Sequence, residues 1–179
     1  SIDQALEAYE IITGKKKYPF LGVILTYGEE SASESRKVDF HPFNVNPADM
    51  KLGVIGAGLY ANATLLPVLK KIRNIELVGI ASAGGLHAQH SGKKFGFAYA
   101  TSDENQILND PHINTVAILT RHDSHAALAV RALASGKHVF VEKPMAVDDD
   151  QLEALTRQLE HSRGQLFMVG FNRRFAPLA

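Results

Sequence analysis

From Met50 onward the chain alternates short, nearly continuous apolar runs with longer stretches of helical periodicity, and few folds accept that rhythm. The runs Lys51–Ile55, Ile75–Ala81, Thr115–Leu119, His138–Val141 and Gln165–Val169 are rich in Val and Ile. Helical stretches fall between them, near Tyr60–Lys71, His87–Phe95, Ser102–Asn109, Ser124–Ser135 and Asp148–His161, with Tyr99–Ala100 as a very short extra strand. Strands that read as continuous apolar runs are buried on both faces, which requires helices on both sides of the sheet. Right-handed crossovers between such strands give an α/β, doubly wound parallel sheet. The composition allows it. Of 179 residues, 45% are hydrophobic and 21% charged, which suits one domain of ordinary size plus a short attachment.

At the end of the first of these strands stands Gly56-Ala57-Gly58-Leu59-Tyr60-Ala61, a G-x-G-x-x-A turn. Each small residue has its own reason: Gly56 for the sharp turn, Gly58 for close approach of a diphosphate to the backbone, Ala61 for tight packing of the new helix on the sheet. The helix start then presents free N–H groups and a positive dipole end to the phosphates. Because the motif follows a buried strand, opens a helix and begins an alternating unit, it marks the sheet as a Rossmann fold that binds a dinucleotide. A tight turn without a ligand, or a loop for S-adenosylmethionine in a methyltransferase, are the competing uses. Pro67 lies inside the helix that follows, where it removes a donor and loosens the preceding turn.

The end of the second strand discriminates NAD from NADP, through an acid for ribose hydroxyls or an Arg for the extra phosphate. Here it reads Ser82-Ala83-Gly84-Gly85, with neither. Ser82 accepts both cofactors, so NAD and NADP both remain open. His87 and His90 lie near in sequence, although both read more simply as exposed helix residues.

Ligands of doubly wound sheets sit beyond the carboxyl ends of the strands. That rule nominates Thr120-Arg121-His122-Asp123-Ser124-His125 after the fourth strand and Glu142-Lys143-Pro144 after the fifth. Plainer roles exist for each. Asp123 or Ser124 can cap the next helix, Arg121 and His122 can be surface residues, and Glu142 with Lys143 can be a solvated pair. Oxidising an alcohol removes a hydride and a proton, so the carbinol needs a partner that manages its charge. Lys143 is the candidate.

Residues 1–48 break the rhythm. Ile2, Ala5, Leu6, Tyr9 and Ile12 fit one helical face, Gly14 can end that helix with a left-handed cap, and Leu21–Tyr27 reads as a strand. One helix and one strand cannot bury their own apolar faces, so residues 1–27 are expected to be the tail of a preceding domain, or alternatively an accessory to the main one. Residues 28–48, with their Ser, Glu and Pro, read as a linker, or alternatively as an ordered surface loop. Residues 49–171 form the dinucleotide-binding domain of this reading, and 172–179 open a truncated substrate domain.

These segments together resemble the glucose–fructose oxidoreductase, inositol dehydrogenase and rhizopine-catabolism family (Gfo/Idh/MocA). The resemblance rests on Gly56-Ala-Gly58, Leu65-Leu66-Pro67, the run Ala134-Ser-Gly136-Lys137-His138-Val139-Phe140-Val141-Glu142-Lys143-Pro144, and Gly170-Phe171-Asn172-Arg173-Arg174-Phe175. It implies a nicotinamide-dependent oxidoreductase acting on a sugar or polyol-like substrate. Lys143 then stands at the active-site lysine position, Glu142 and Pro144 shape its loop, and His125 lies near the nicotinamide. Arg121 and His122 depart from the family's commoner Thr-Pro-Asn. The family's second domain, which completes the active site and forms most oligomer contacts, would follow the Arg-Phe segment. A fragment without it is expected to bind cofactor and turn nothing over. Residues 1–27 look like the end of a medium-chain, zinc-type alcohol dehydrogenase domain, through Ala5-Leu-Glu-Ala-Tyr9 and Leu21-Gly-Val-Ile-Leu-Thr-Tyr27.

Nineteen basic residues balance nineteen acidic ones, so no overall field draws the chain to nucleic acid or to an anionic membrane. Without cysteine there is neither a disulfide nor a thiolate metal site, and no zinc ligand set is visible. No apolar run reaches membrane-spanning length. The expected setting is the cytoplasm, with a small-molecule substrate reached through the second domain and homo-oligomerisation left open. A non-catalytic NAD(P)-sensing or assembly domain is the alternative from another functional class.

Overall fold

Residues 4–17, 19, 22–24, 26, 36–40 and 50–176 are described by the computed structural model. The chain divides into two compact units, Ser1–Ser35 and Arg36–Ala179.

The second unit is built on seven strands: β1 (Lys37–Asp39), β2 (Met50–Ile55), β3 (Ile75–Ala81), β4 (Tyr99–Thr101), β5 (Thr115–Ile118), β6 (His138–Glu142) and β7 (Phe167–Gly170). Their order across the sheet is β1-β4-β3-β2-β5-β6-β7. Every neighbouring pair is parallel except β1 with β4. The order reverses at β2, with β3 on one side of it and β5 on the other, and a crevice opens there at the strand ends. The expected doubly wound Rossmann sheet is the observed one.

Two apolar clusters, one on each face, hold it together. Val78, Ile107, Ile113, Val116, Ile118, Leu128, Val141 and Leu155 fill one. They join the sheet to α4 (Glu104–Leu108), α5 (His125–Ala134) and α6 (Asp149–His161). Leu52, Val54, Leu66, Leu77, Ile80, Phe95 and Phe97 fill the other, beneath α3 (Leu86–Phe95) and the first crossover helix. Burial on both faces is why the central strands lack polar alternation.

That first crossover differs from a plain helix. It is π-helical over Ala61–Leu65 and becomes α2 at Leu66–Leu69, with Pro67 in the first α-helical turn. The wider turn relieves the clash between the Pro ring and the carbonyl four residues earlier, so the loosening expected from Pro67 takes the form of a π-bulge.

The Gly136-Lys137-His138 part of the sequence signature works in the scaffold. Gly136 has φ +75°. Lys137 is buried, and its Nζ donates to the carbonyls of Asp110 and Ile113, each at 2.7 Å. The Nδ1 of His138 accepts the N–H of Leu166 at 2.9 Å.

Residues 36–40, inside the stretch read as linker, are an ordered part of the sheet. β1 pairs with β4, and the Phe40 ring lies where Gly92 of α3 has no side chain. A three-residue strand with Lys37 and Asp39 on it offers no apolar run to read. The rest of that expected linker lies outside the described residues.

In the first unit, α1 (Ala5–Ile12) ends before Gly14, whose φ of +77° is the left-handed conformation expected of it. Lys16 pairs with Glu7 at 3.1 Å and Glu10 at 3.4 Å, which raises the pKa of its ammonium group. Of the strand expected over Leu21–Tyr27, Leu21, Leu25 and Tyr27 lie outside the described residues, and residues 22–24 and 26 form no strand.

Candidate functional site

Two cavities open at the carboxyl ends of the strands. The larger, about 840 Å³, runs along the glycine loop and is lined by Gly56, Ala57, Gly58, Leu59, Ser82, His87, Arg121 and Arg131 among others. The smaller, about 400 Å³, is lined by His122, His125, Glu142, Lys143, Asn172 and Arg173. Tyr60, Leu119 and Thr120 line both, so they form the seam of one cleft. Gly56 to Tyr60, Ser82, the loop from Thr120 to His125, Glu142 and Lys143 all line this cleft, whereas Ala61 and Pro144 do not.

The glycine loop is shaped by two different constraints. Gly56 has φ +110°, and a Cβ there would lie 2.6 Å from the carbonyl carbon and oxygen of Leu119. Its N–H donates to Ala81 at 2.8 Å, which ties the turn between β3 and β5. A Cβ on Gly58 would meet nothing within 4 Å. The first glycine is therefore needed by the protein itself, whereas the second leaves open space.

Asn62 supplies what the motif does not spell out. Its Nδ2 donates to the carbonyls of Ala57 at 2.9 Å and Gly58 at 3.0 Å, and its Oδ1 accepts from the buried Ser91 hydroxyl of α3 at 2.7 Å. In a trans peptide the C=O and the following N–H point in opposite directions. Holding these two carbonyls toward Asn62 therefore turns the N–H groups of Gly58 and Leu59 away from it, toward the open side. Together with the orphan N–H groups of the helix start, this is the donor set a diphosphate requires. Open space, aligned donors and a combined cavity of dinucleotide scale fit NAD(P) at this place.

At the second-strand end, Ser82 is half-buried, and His87 and Ser102 line the same cavity. His90 is exposed and is not among the lining residues of the cleft. Arg131 is held by Glu104 at 3.2 Å and by Asn105 at 2.6 Å, which leaves the exposed Arg121 the less encumbered cation.

At the other end, Glu142 closes β6. Its Oε2 accepts the Lys143 N–H at 3.2 Å, while its Oε1 is buried without a hydrogen-bond partner. Gly170 makes room for it: a Cβ there would stand 2.8 Å from Oε1. The phenol of Tyr60 has its pKa pushed above the ordinary tyrosine value, by burial first and then by the Glu142 carboxylate, with Asn172 acting in the opposite sense. Lys143 is exposed to the cleft. His125 is fully buried, with Nδ1 2.8 Å from the Pro144 carbonyl oxygen and Nε2 3.0 Å from that of Thr120.

Ser124 does not cap α5 with its side chain. Its hydroxyl instead bonds Thr120 Oγ1 at 2.7 Å and the Arg121 carbonyl at 2.9 Å, and a short 3₁₀ turn, His122–Ser124, leads into the helix. Asn62 behind the glycine loop and, in the lining itself, Ser102, Glu104, Arg131, Asn172 and Arg173 are polar residues the sequence did not nominate. A lone Asn one position past the motif carries no periodic signal, and the last two are brought in by β7.

The Gfo/Idh/MocA oxidoreductase model, described as an NAD-binding Rossmann fold, matches residues 50–171. The chain belongs to this family. Among relatives, it is 27% identical over 128 residues to the inositol 2-dehydrogenase/D-chiro-inositol 3-dehydrogenase of Lactiplantibacillus plantarum, covering 71% of this chain and 37% of that protein. It is 31% identical over 141 residues to the levoglucosan dehydrogenase of Pseudarthrobacter phenanthrenivorans, covering 72% and 35%. The 3-ketoreductase KijD10 of Actinomadura kijaniata, solved with NADP and TDP-benzene, superposes with a TM-score of 0.66 at 30% identity, covering 72% of this chain and 39% of that one. The chain thus spans little more than a third of the length of these relatives. Within the Gfo/Idh/MocA family it is an oxidoreductase NAD-binding domain similar to those of inositol and sugar dehydrogenases. Among the described residues no helix is long and apolar enough to cross a membrane.

Proposed function

We propose that this chain is the cofactor-binding half of an NAD(P)-dependent dehydrogenase that acts on a sugar or polyol-like substrate, and that by itself it binds cofactor without turnover. The observation that carries the reading is the open face of Gly58, with two neighbouring N–H groups turned toward it by Asn62. A bound nicotinamide would accept or supply the hydride. The chain's own groups do the rest. The loop amides of residues 57–60 hold the diphosphate, Thr120 and Tyr60 line the seam, and Ser82 faces the adenosine ribose. Lys143 holds the substrate oxygen and manages its proton from the rim of the smaller cavity.

The sugar or polyol class comes from the inositol and levoglucosan dehydrogenases among the relatives. The remainder of the active site is assigned to a second domain after residue 171. Residues 1–27 are assigned to the tail of a preceding dehydrogenase-like domain, a reading supported by the exposed Leu6, Tyr9 and Ile12 of α1, an apolar face that calls for a partner. Calorimetric titration of the chain with NADH and with NADPH tests the proposal: at least one binds with 1:1 stoichiometry, and failure of both at millimolar concentration defeats it. In a longer protein carrying the second domain, Lys143→Ala abolishes turnover while keeping cofactor affinity. Unchanged turnover would favour a sensing domain.

A further inference from the structure

We infer that His125 is a positioning residue, whose buried ring ties the loop after β5 to the loop that carries Lys143 and so sets where Lys143 stands in the smaller cavity. This deepens the proposed reading and rests on it. The ring has 0% exposure, so it has no surface with which to touch a ligand directly, although it sits in the cavity wall. It acts through backbone. Nδ1 meets the carbonyl of Pro144, the residue after Lys143, and Nε2 meets the carbonyl of Thr120 at the cleft seam.

Its anchor is firm, because His125 opens α5 and is followed by the buried Ala126, Leu128 and Ala129. Lys143 is therefore gripped on both sides. Glu142 accepts its N–H, and His125 holds the next carbonyl. Carbonyl oxygens only accept, so each of the two contacts is a hydrogen bond only when the facing ring nitrogen donates. A side chain of similar bulk without donors would leave both carbonyls unpaired by the ring.

The test compares two ligands that share the adenosine diphosphate end: NADH, or NADPH if that is the cofactor bound, against ADP-ribose. In His125→Phe, which keeps a ring but loses both ring nitrogens, the reduced cofactor binds roughly tenfold more weakly while ADP-ribose affinity stays within about twofold. His125→Gln, which keeps an amide NH2 to donate from, falls between. Amide exchange at Lys143 and Met145 speeds up by roughly tenfold in His125→Phe while that of Val54 and Ile55 holds.

Equal losses for both ligands would mean a general structural role and overturn the inference, as would equal retention. If His125→Phe does not fold, His125→Gln carries the same comparison. A wild-type chain that binds neither ligand defeats the cofactor reading alone. The exchange pattern then decides for or against the clamp, with unchanged exchange at Lys143 sinking it.

Discussion

At the glycine loop the surface that faces the cleft is backbone. Gly56 packs its missing side chain against Leu119 and Thr120, Gly58 faces open space, and Asn62 works from behind to turn the peptides. At the Lys143 loop the surface is made by side chains from four separate segments: Tyr60 from the first crossover, His122 after β5, Glu142 and Lys143 at the end of β6, Asn172 and Arg173 after β7. The first end is internally satisfied. The second keeps a buried carboxylate oxygen of Glu142 without a partner. A backbone site needs little beyond its own turn, one supporting amide and the strand end it packs on. A side-chain site depends on everything that packs around it.

The strongest way to break this contrast is Gly56→Ala. With φ at +110° and a Cβ pressed on the Leu119 carbonyl, it is expected to cost roughly 3 kcal/mol of stability and to abolish cofactor binding. Urea unfolding and cofactor titration measure both, and a stable, binding variant would mean the turn is not constrained as described. Next comes Asn62→Leu, which strands two carbonyls and the Ser91 hydroxyl. It should destabilise by about 2 kcal/mol and weaken both ADP-ribose and the reduced cofactor, because the shared diphosphate end is affected.

Gly58→Ala is the sharpest of the set. Nothing in the protein contests the added methyl, so unfolding free energy should stay within about 0.5 kcal/mol while cofactor affinity drops by roughly tenfold. A turn that binds nothing would show neither change.

The smallest effect separates the two tyrosines. Burial and the Asp110 carboxylate, to which its hydroxyl donates at 2.8 Å, push the Tyr99 phenol well above its ordinary value. A raised folded-state pKa means stability intact below the unfolded value near 10 and lost as pH climbs toward the folded one. Above pH 10 stability should fall by about 1.4 kcal/mol per pH unit on this account, and Tyr99→Phe should flatten that slope. Tyr60 is shifted in the same direction, but it is 37% exposed and adds a smaller share. A slope unchanged by Tyr99→Phe would show that the buried phenol is not its source.

What could be read in advance follows the same division. The central strands are apolar because both their faces are covered, so their positions in sequence and in the structure agree to within a residue or two. β1 escaped notice because an edge strand of three residues needs no apolar pattern, and the π-helical turn because Pro67 announces a disturbance without its form. The glycine loop was legible because backbone approach demands particular small residues at fixed spacing. Lys143 stood out by its place at a strand end and again through a family resemblance, whereas the burial of His125 between two carbonyls and the pairing of Asn62 with Ser91 depend on elements that meet only after folding.

The central claim is that one dinucleotide spans the cleft from Gly58 to Lys143, and a crystal structure of the chain with its reduced cofactor tests it most directly. The diphosphate oxygens should lie within hydrogen-bonding distance of the Gly58 and Leu59 amides, with the nicotinamide ring in the cavity beside Lys143 and Glu142. A diphosphate bound elsewhere, or the adenine ring lodged beside Lys143, would contradict it.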